Sequence, residues 1–199
     1  MKYNREIHRR RSVRLRGYDY AKEGMFFVTI CCQDRIHFFG EVENKEMQLN
    51  DFGKIAHDEW EKLPERWPHI ALGAYQIMPN HMHGVLLINH PSIPDDLFTA
   101  IHSEYLKEHG SSFVPGKIHF SKFQWDTRPY IGQIIGAYKS IVSTACLKLH
   151  KEKHPDVWLD KIWQRSFDDR IIRSAEAFEK ISHYIIKNPA KWVEDEFFN

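Results

Sequence analysis

The sequence lacks the features that mark a secreted or a membrane-embedded protein. It has three cysteines, Cys31, Cys32 and Cys146, and no C-x-x-C pair, a pattern typical of reduced thiols in the cytoplasm. No apolar run approaches the ~20 residues that a membrane-spanning helix needs, and the first residues are basic rather than signal-like. We therefore expect a cytoplasmic protein without a membrane partner.

Signatures of two other function classes are also missing. The sequence has no H-E-x-x-H motif, which supplies the zinc ligands and the general base of many metalloproteases. It has no K/R-G-F/Y-G/A-F-V-x-F/Y run, which argues against an RNA-recognition module. Other metal and nucleic-acid chemistry stays open.

The charge is unevenly distributed, although the net charge of the 199 residues is only +1. Residues 1–16 carry about +6, so the remaining residues sum to about −5. A basic arm on a mildly acidic body commonly binds the phosphate backbone of a nucleic acid. The alternative is a disordered N-terminal segment whose charges are only solvated. We expect an arm at 1–24, one domain at 25–199, and DNA-backbone contacts from the arm's arginines, which are Arg9, Arg10, Arg11, Arg14 and Arg16.

The pattern of apolar residues predicts an α+β fold. Strands are predicted at 25–33, 36–42, 70–78, 81–88 and 163–173, and helices at 51–63, from 131 onward and at 175–187. Periodicity fails at about 91–130, which we interpret as a long insertion. The order of elements predicts a ferredoxin-like antiparallel sheet with helices packed on it.

The run P-N-H-M-H-G-V-L-L-I, residues 79–88, places two histidines at the start of an apolar, strand-like segment. Side chains alternate along a strand, so His81 and His83 point to the same face, which we expect to be accessible. Two imidazoles in this arrangement suit a divalent metal. The alternative is a pair of polar side chains at the start of a strand that form hydrogen bonds to the backbone and bind no metal.

Tyr184 and Asn188 are four residues apart on the last predicted helix and share one of its faces. A phenol with its ordinary pKa near 10 is a poor nucleophile and needs a polarised electrophile or a nearby metal. The amide oxygen one turn later could be a metal ligand. The alternatives are a tyrosine at the edge of the core and an asparagine that ends the helix before Pro189. Tyr138, on the other long helix, is a competing nucleophile, although its spacing favours the core.

Taken together, P-N-H-M-H-G-V-L-L-I, W-Q-R-S-F-D-D-R-I-I-R and Y-I-I-K-N-P, in this order, resemble the HUH single-tyrosine transposases and most closely their REP-associated branch. The resemblance covers about 25–192, except for the long insertion. It implies a ferredoxin-like core in which His81 and His83 bind Mg²⁺ or Mn²⁺ and Tyr184 is the nucleophile. Asn188 takes the place of a third, helix-borne ligand.

The resemblance also implies an enzyme that cleaves and rejoins single-stranded, hairpin-associated DNA through a 5′-phosphotyrosine. It would act on nucleoid DNA in bacterial cytoplasm, as a monomer or a homodimer. Further candidates for contacts with the DNA backbone are Lys139, Arg165 and Arg170. Two alternatives stay open: a non-catalytic protein that binds DNA hairpins, and a zinc hydrolase with His90 or His183 as an additional ligand.

Overall fold

The computed structural model describes residues 24–67, 69–88, 130–157, 159 and 161–198. The predicted arm lies outside these residues except for its last residue, Gly24. The predicted insertion also lies outside them except for Tyr130, and so does His90. The arm's arginines therefore stay predictions, and these are Arg9, Arg10, Arg11, Arg14 and Arg16. The division into an arm and a single domain with an insertion stays a prediction for the same reason.

The described residues form an α+β structure with six strands and four helices. In chain order these are β1 (Gly24–Cys31), β2 (Gly40–Glu43), β3 (Glu46–Leu49), α1 (Asp51–Glu61), α2 (Leu63–Arg66), β4 (Ile70–Ile77), β5 (His81–Ile88), α3 (Ile131–Lys153), β6 (Asp168–Ile172) and α4 (Ala175–Lys187). Short 3₁₀ turns occupy Gln33–Arg35 and Pro189–Glu194. None of the helices in this part of the chain is long and apolar enough to span a membrane.

Four strands form one antiparallel sheet in the order β4-β5-β1-β6. Without the β2–β3 hairpin and the short helix α2, the chain order is β-α-β-β-α-β followed by α4, so the predicted fold class is confirmed. Every residue of β5 is buried, as expected for the apolar run that the sequence places in the sheet interior.

The sheet separates two apolar layers. Helix α1 packs against α3 and β4 on one face, around Trp60 and Tyr138. Helix α4 packs against β4 and β5 on the other face, where Val85 and Leu87 of β5 are buried. Alternation along β5 puts His81 and His83 on this second face, beneath α4.

Gly84 allows the first layer to approach β5 directly beside the histidines. A Cβ at this position would lie 2.5 Å from Cζ2 of Trp60, which is too close for any side chain. The indole therefore packs against bare backbone on the face opposite His83. The glycine of the P-N-H-M-H-G run is thus explained by packing.

The strand predicted at 36–42 is wrong in its bounds. β2 begins only at Gly40 and pairs with β3 in a separate two-stranded hairpin. The residues at the hairpin tip, Asn44 and Lys45, both have positive φ, 51° and 67°, as a tight primed turn requires. The backbone before β2 makes hydrogen bonds outside the hairpin, because the amides of Phe38 and Phe39 donate to the Pro79 carbonyl.

The strand predicted at 163–173 is shorter in the structure. Only Asp168–Ile172 forms β6 at the sheet edge beside β1, and Trp163 makes an isolated bridge to Cys32. The first helix also ends earlier than predicted, at Glu61 instead of 63. Pro64 lies in the first turn of α2, where its missing N–H costs nothing, and so begins a helix instead of ending one.

Candidate metal centre

His81 and His83 lie side by side on β5, with ring centroids 4.6 Å apart. They are 0% and 2% exposed, so the expectation of an accessible strand face is wrong. The reason is the C-terminal segment, residues 195–198, which follows the second 3₁₀ turn and returns over the strand. Its Phe197 ring lies 4.5 Å from the His81 ring, centroid to centroid.

The imidazole of His81 is held by the residue before it. Nδ1 of His81 lies 2.9 Å from Oδ1 of Asn80, whose side chain is itself fully buried. Nε2 of His81 is buried and has no hydrogen-bond partner among the described residues. That nitrogen is therefore available to a ligand.

His83 is bonded at both ring nitrogens. Nδ1 lies 2.9 Å from the hydroxyl of Thr29, the residue that is paired with His83 on the neighbouring strand β1. Nε2 lies 3.2 Å from the Tyr184 phenol oxygen, a pair separated by 101 residues of sequence. The Phe27 ring packs against both the His83 ring and the Tyr184 ring.

Both histidines are neutral near pH 7. Burial lowers the pKa of His81 to about 3, and the Arg35 guanidinium lowers it further in the same direction. Burial also lowers the pKa of His83 to about 3, with a further lowering contribution from His81. Neutral imidazoles keep one unprotonated nitrogen each, which is the form that binds metal.

Tyr184 is carried to this point by α4. The Ser174 hydroxyl caps the start of the helix by accepting a hydrogen bond from the Ala177 amide at 3.1 Å. Phe178 and Ile185 anchor the buried stripe of the helix against the sheet. The Tyr184 side chain next to that stripe is 44% exposed, so one edge reaches His83 and the other faces solvent.

The phenol is protonated near neutral pH. Partial burial raises the pKa of Tyr184 to about 12, and the carboxylates of Asp195 and Glu196 raise it further, whereas Arg170 acts in the opposite direction. Any nucleophilic role therefore requires the proton to leave during the reaction. By contrast, Tyr138 is fully buried and its hydroxyl donates to the Ala56 carbonyl at 2.9 Å, so the competing tyrosine lies in the core.

Asn188 is buried at the end of α4, where it is the C-cap residue. Its Nδ2 donates to Oδ2 of Asp195 at 2.6 Å, while its Oδ1 is buried without a hydrogen-bond partner among the described residues. The backbone N–H of Asn188 makes the cap hydrogen bond to the Ile185 carbonyl, while the side-chain amide keeps one oxygen free. Its role as a metal ligand stays a prediction.

Asp195 is the site residue that sequence reasoning missed. One ligand atom each from His81, His83 and Asp195 lie within 4.8 Å of one another, and in the described part of the chain no other group of three His, Cys, Asp or Glu side chains does so. Two imidazole nitrogens with a carboxylate oxygen form a donor set that suits a divalent cation. His183 is exposed on α4 and is not in this group.

The predicted DNA-binding cations fall into different environments. The ammonium of Lys139 donates to the backbone carbonyls of Gln164, Arg165 and Ser166, which engages all three of its hydrogens. The exposed Arg165 side chain borders the same groove, of about 490 Å³, as Lys139.

Arg170 lies nearer to the histidines and the phenol. It faces Phe27 directly across the β1–β6 ladder, and its charge acts on both His83 and Tyr184. Among the three predicted cations of the body, Arg170 is therefore the one that the structure places beside the candidate centre.

No family model matches the chain. A protein of Haemophilus influenzae, described only as uncharacterized, is 33% identical over 198 residues, which are 99% of this chain and 97% of that protein. The two chains belong to one family. Among solved structures, a REP-associated tyrosine transposase bound to a REP hairpin matches 92% of this chain and 74% of its own, with a TM-score of 0.50 and 18% identity. At that identity the likeness shows a shared fold, which agrees with the resemblance found in the sequence.

Proposed function

We propose that this protein is a metal-dependent transposase or single-strand endonuclease that cleaves and rejoins DNA through a 5′-phosphotyrosine. The observation that carries the proposal is the contact between the Tyr184 phenol and His83, 3.2 Å apart, at the edge of the His81–His83–Asp195 group. A phenol beside a candidate metal centre suits phosphoryl transfer to tyrosine, because the metal can polarise the phosphate that the phenol attacks.

The chemistry assigned to the chain is an in-line exchange at phosphorus. The Tyr184 oxygen forms a bond to the scissile phosphorus and loses its proton, while the bond from phosphorus to the 3′ oxygen breaks and that oxygen takes up a proton. The products are a 5′-phosphotyrosine and a free 3′-OH. One phosphoester replaces another, so a 3′-OH can reverse the step and join strands without ATP.

The metal, Mg²⁺ or Mn²⁺, would supply Lewis acidity at the scissile phosphate. We assign His81 and His83 as its nitrogen ligands, with Asp195 as an oxygen ligand. The free, buried Oδ1 of Asn188 is a further candidate oxygen. The neutral state of both imidazoles near pH 7 supports this assignment.

Single-stranded DNA with a hairpin is the proposed substrate. The transposase with the similar fold is bound to a REP hairpin, and the first 16 residues of this chain carry about +6 of charge. The phosphate of a single strand would approach the phenol from the exposed edge of Tyr184, because the histidines beneath the phenol are buried.

The test is adduct formation on a labelled single strand that carries the hairpin flanking the protein's own gene, with Mg²⁺ or Mn²⁺, resolved on a denaturing gel. We expect a covalent protein–DNA adduct with the natural protein and none with Tyr184→Phe, His81→Ala or His83→Ala. Tyr138→Phe is the matched control, since it removes a phenol oxygen from the other face of the sheet and should form the adduct. An adduct that is lost in Tyr138→Phe but kept in Tyr184→Phe would reverse the assignment.

A second candidate function is hairpin binding without cleavage. The burial of both histidines beneath Phe197 favours it, because a phosphate cannot reach them in this conformation. It predicts DNA binding with no adduct in any variant.

Zinc hydrolysis is distinguished by a titration with different metals. Tight, stoichiometric binding of Zn²⁺ with no response of activity to Mg²⁺ or Mn²⁺ would support it.

A further inference from the structure

We propose that Asn80 is a positioning residue that fixes the tautomer of His81, with the proton on Nδ1 and the lone pair of Nε2 directed into the candidate metal centre. The second half of this inference rests on the proposed metal-binding function. The first half concerns only the protein itself and can be tested without metal.

The orientation of the Asn80 amide follows from its partners. Nδ2 lies 2.8 Å from the carbonyl oxygen of Phe197 and 3.2 Å from that of Arg35. A carbonyl oxygen can only accept, so the group facing both must be the NH₂, which has two hydrogens to donate. The other amide atom, which faces His81, is therefore the oxygen.

The tautomer of His81 follows from that orientation. Oδ1 of Asn80 can only accept, and it lies 2.9 Å from Nδ1 of His81, so Nδ1 must carry a hydrogen. A neutral imidazole has a single N–H. Nε2 of His81 is then a lone pair, and it is the buried nitrogen that has no partner among the described residues.

An unpartnered buried lone pair costs free energy, because the nitrogen has lost its hydrogen bond to water without replacement. At a ligand site this atom gains its partner when the ligand binds. Metal-binding histidines commonly donate their other N–H to a carbonyl or carboxylate oxygen, which fixes the tautomer. Asn80 has that relation to His81.

His83 has no equivalent constraint. Its Nδ1 faces the Thr29 hydroxyl, which can donate or accept and so permits either tautomer. The effect of Asn80 is therefore specific to His81. Asn80 also links His81 to the C-terminal segment, because Phe197 supplies one of the two carbonyls that orient the amide.

The experiment measures the tautomer and the metal affinity separately. In metal-free protein labelled with ¹⁵N-histidine, the ring ¹⁵N shifts at pH 8 distinguish protonated from unprotonated nitrogens. We expect His81 to be protonated at Nδ1 in the natural protein and to become a mixture of tautomers in Asn80→Ala. Asn80→Asp keeps an oxygen opposite Nδ1 and should keep the natural tautomer, but it loses the NH₂ that donates to the Phe197 and Arg35 carbonyls and so serves only for the tautomer readout.

Calorimetric titration with Mn²⁺ gives the second readout. Loss of an outer partner of a metal-binding histidine costs about 10- to 100-fold in affinity, so Asn80→Ala should bind Mn²⁺ that much more weakly. Tyr138→Phe controls for the loss of a buried hydrogen bond elsewhere and should match the natural protein in both readouts.

The outcomes separate this inference from the proposed function. His81 protonated at Nε2 in the natural protein, or an unchanged tautomer in a folded Asn80→Ala variant, would overturn the role of Asn80. If Asn80→Ala does not fold, the natural protein's tautomer still decides. A correct tautomer with no Mn²⁺ binding in the natural protein would support the role of Asn80 and contradict the metal-binding function.

Discussion

Replacement of Tyr184 by phenylalanine should strengthen metal binding while it abolishes the covalent adduct. The phenol and a metal ion would compete for one atom, because Nε2 of His83 already bonds to the Tyr184 oxygen and Nδ1 of His83 is engaged by Thr29. Metal binding through Nε2 must therefore first release the phenol. Tyr184→Phe removes that step and keeps the aromatic contact with Phe27.

The magnitude follows from the strength of this single hydrogen bond. A neutral hydrogen bond contributes about 0.5–1.5 kcal/mol net. The 3.2 Å separation is at the long end for either donor and Tyr184 is 44% exposed, so the lower half of that range applies. A gain of about 0.5–1 kcal/mol corresponds to roughly two- to fivefold tighter binding. The free energy of unfolding should fall by no more than the same amount.

The assay is calorimetric titration of the natural protein, Tyr184→Phe and Tyr138→Phe with Mn²⁺ in the same buffer. The Tyr138 variant should bind like the natural protein, because its phenol bonds to the Ala56 carbonyl on the other face of the sheet. Equal or weaker Mn²⁺ binding by Tyr184→Phe would refute the competition for His83. In that case the metal would use other atoms, or the phenol would itself assist binding.

Three further predictions concern pH and DNA. Because His81 and His83 have pKa values of about 3 in the folded protein and near 6.5 when unfolded, the unfolded chain binds more protons between these values. The contribution of these two histidines to the free energy of unfolding should therefore be constant above pH ~6.5. It should fall as the pH decreases below that value, by up to about 1.4 kcal/mol per pH unit for each histidine. Chemical denaturation should show a shallower dependence over this range in His83→Leu. Arg170→Ala should weaken single-stranded DNA binding and reduce the slope of log affinity against log salt concentration by about 0.7. Arg173→Ala removes the same charge just beyond β6 and should have neither effect. Equal effects of the two variants would mean that the net charge of the protein, and not the position of Arg170, determines the affinity. Deletion of 1–16 should lower DNA affinity and its salt dependence, yet leave adduct formation at saturating DNA intact.

The sheet and its histidine strand could be predicted from the sequence because their signals are local. The apolar run after His83 requires burial on both faces, and period-2 alternation puts His81 and His83 together whatever surrounds them. The last helix was equally readable: Ser174 caps its start, and Pro189 follows its last turn. These features depend on a few neighbouring residues.

The rest of the site depends on contacts between distant residues. Asp195 lies in a short acidic run that would be solvated in most proteins, and only the return of the chain after Pro189 brings it to the histidines. The Asn80 amide is oriented by carbonyls 45 and 117 residues away, which no spacing rule predicts. The burial of the histidines was missed for the same reason, since Phe197 covers them from the end of the chain.

The two helix tyrosines show how the fold assigns different roles to the same side chain. Tyr138 has its hydroxyl satisfied by a backbone carbonyl and has no exposed surface, and burial raises the pKa of its phenol far above the ordinary value. Tyr184 has a partner that a ligand can displace, an exposed edge, and a nearby cation in Arg170 that favours the charge developing on its oxygen. A nucleophile must reach its substrate and lose a proton, and both requirements favour Tyr184. The sheet that separates these residues thus divides the molecule into a face built for stability and a face on which we place the chemistry.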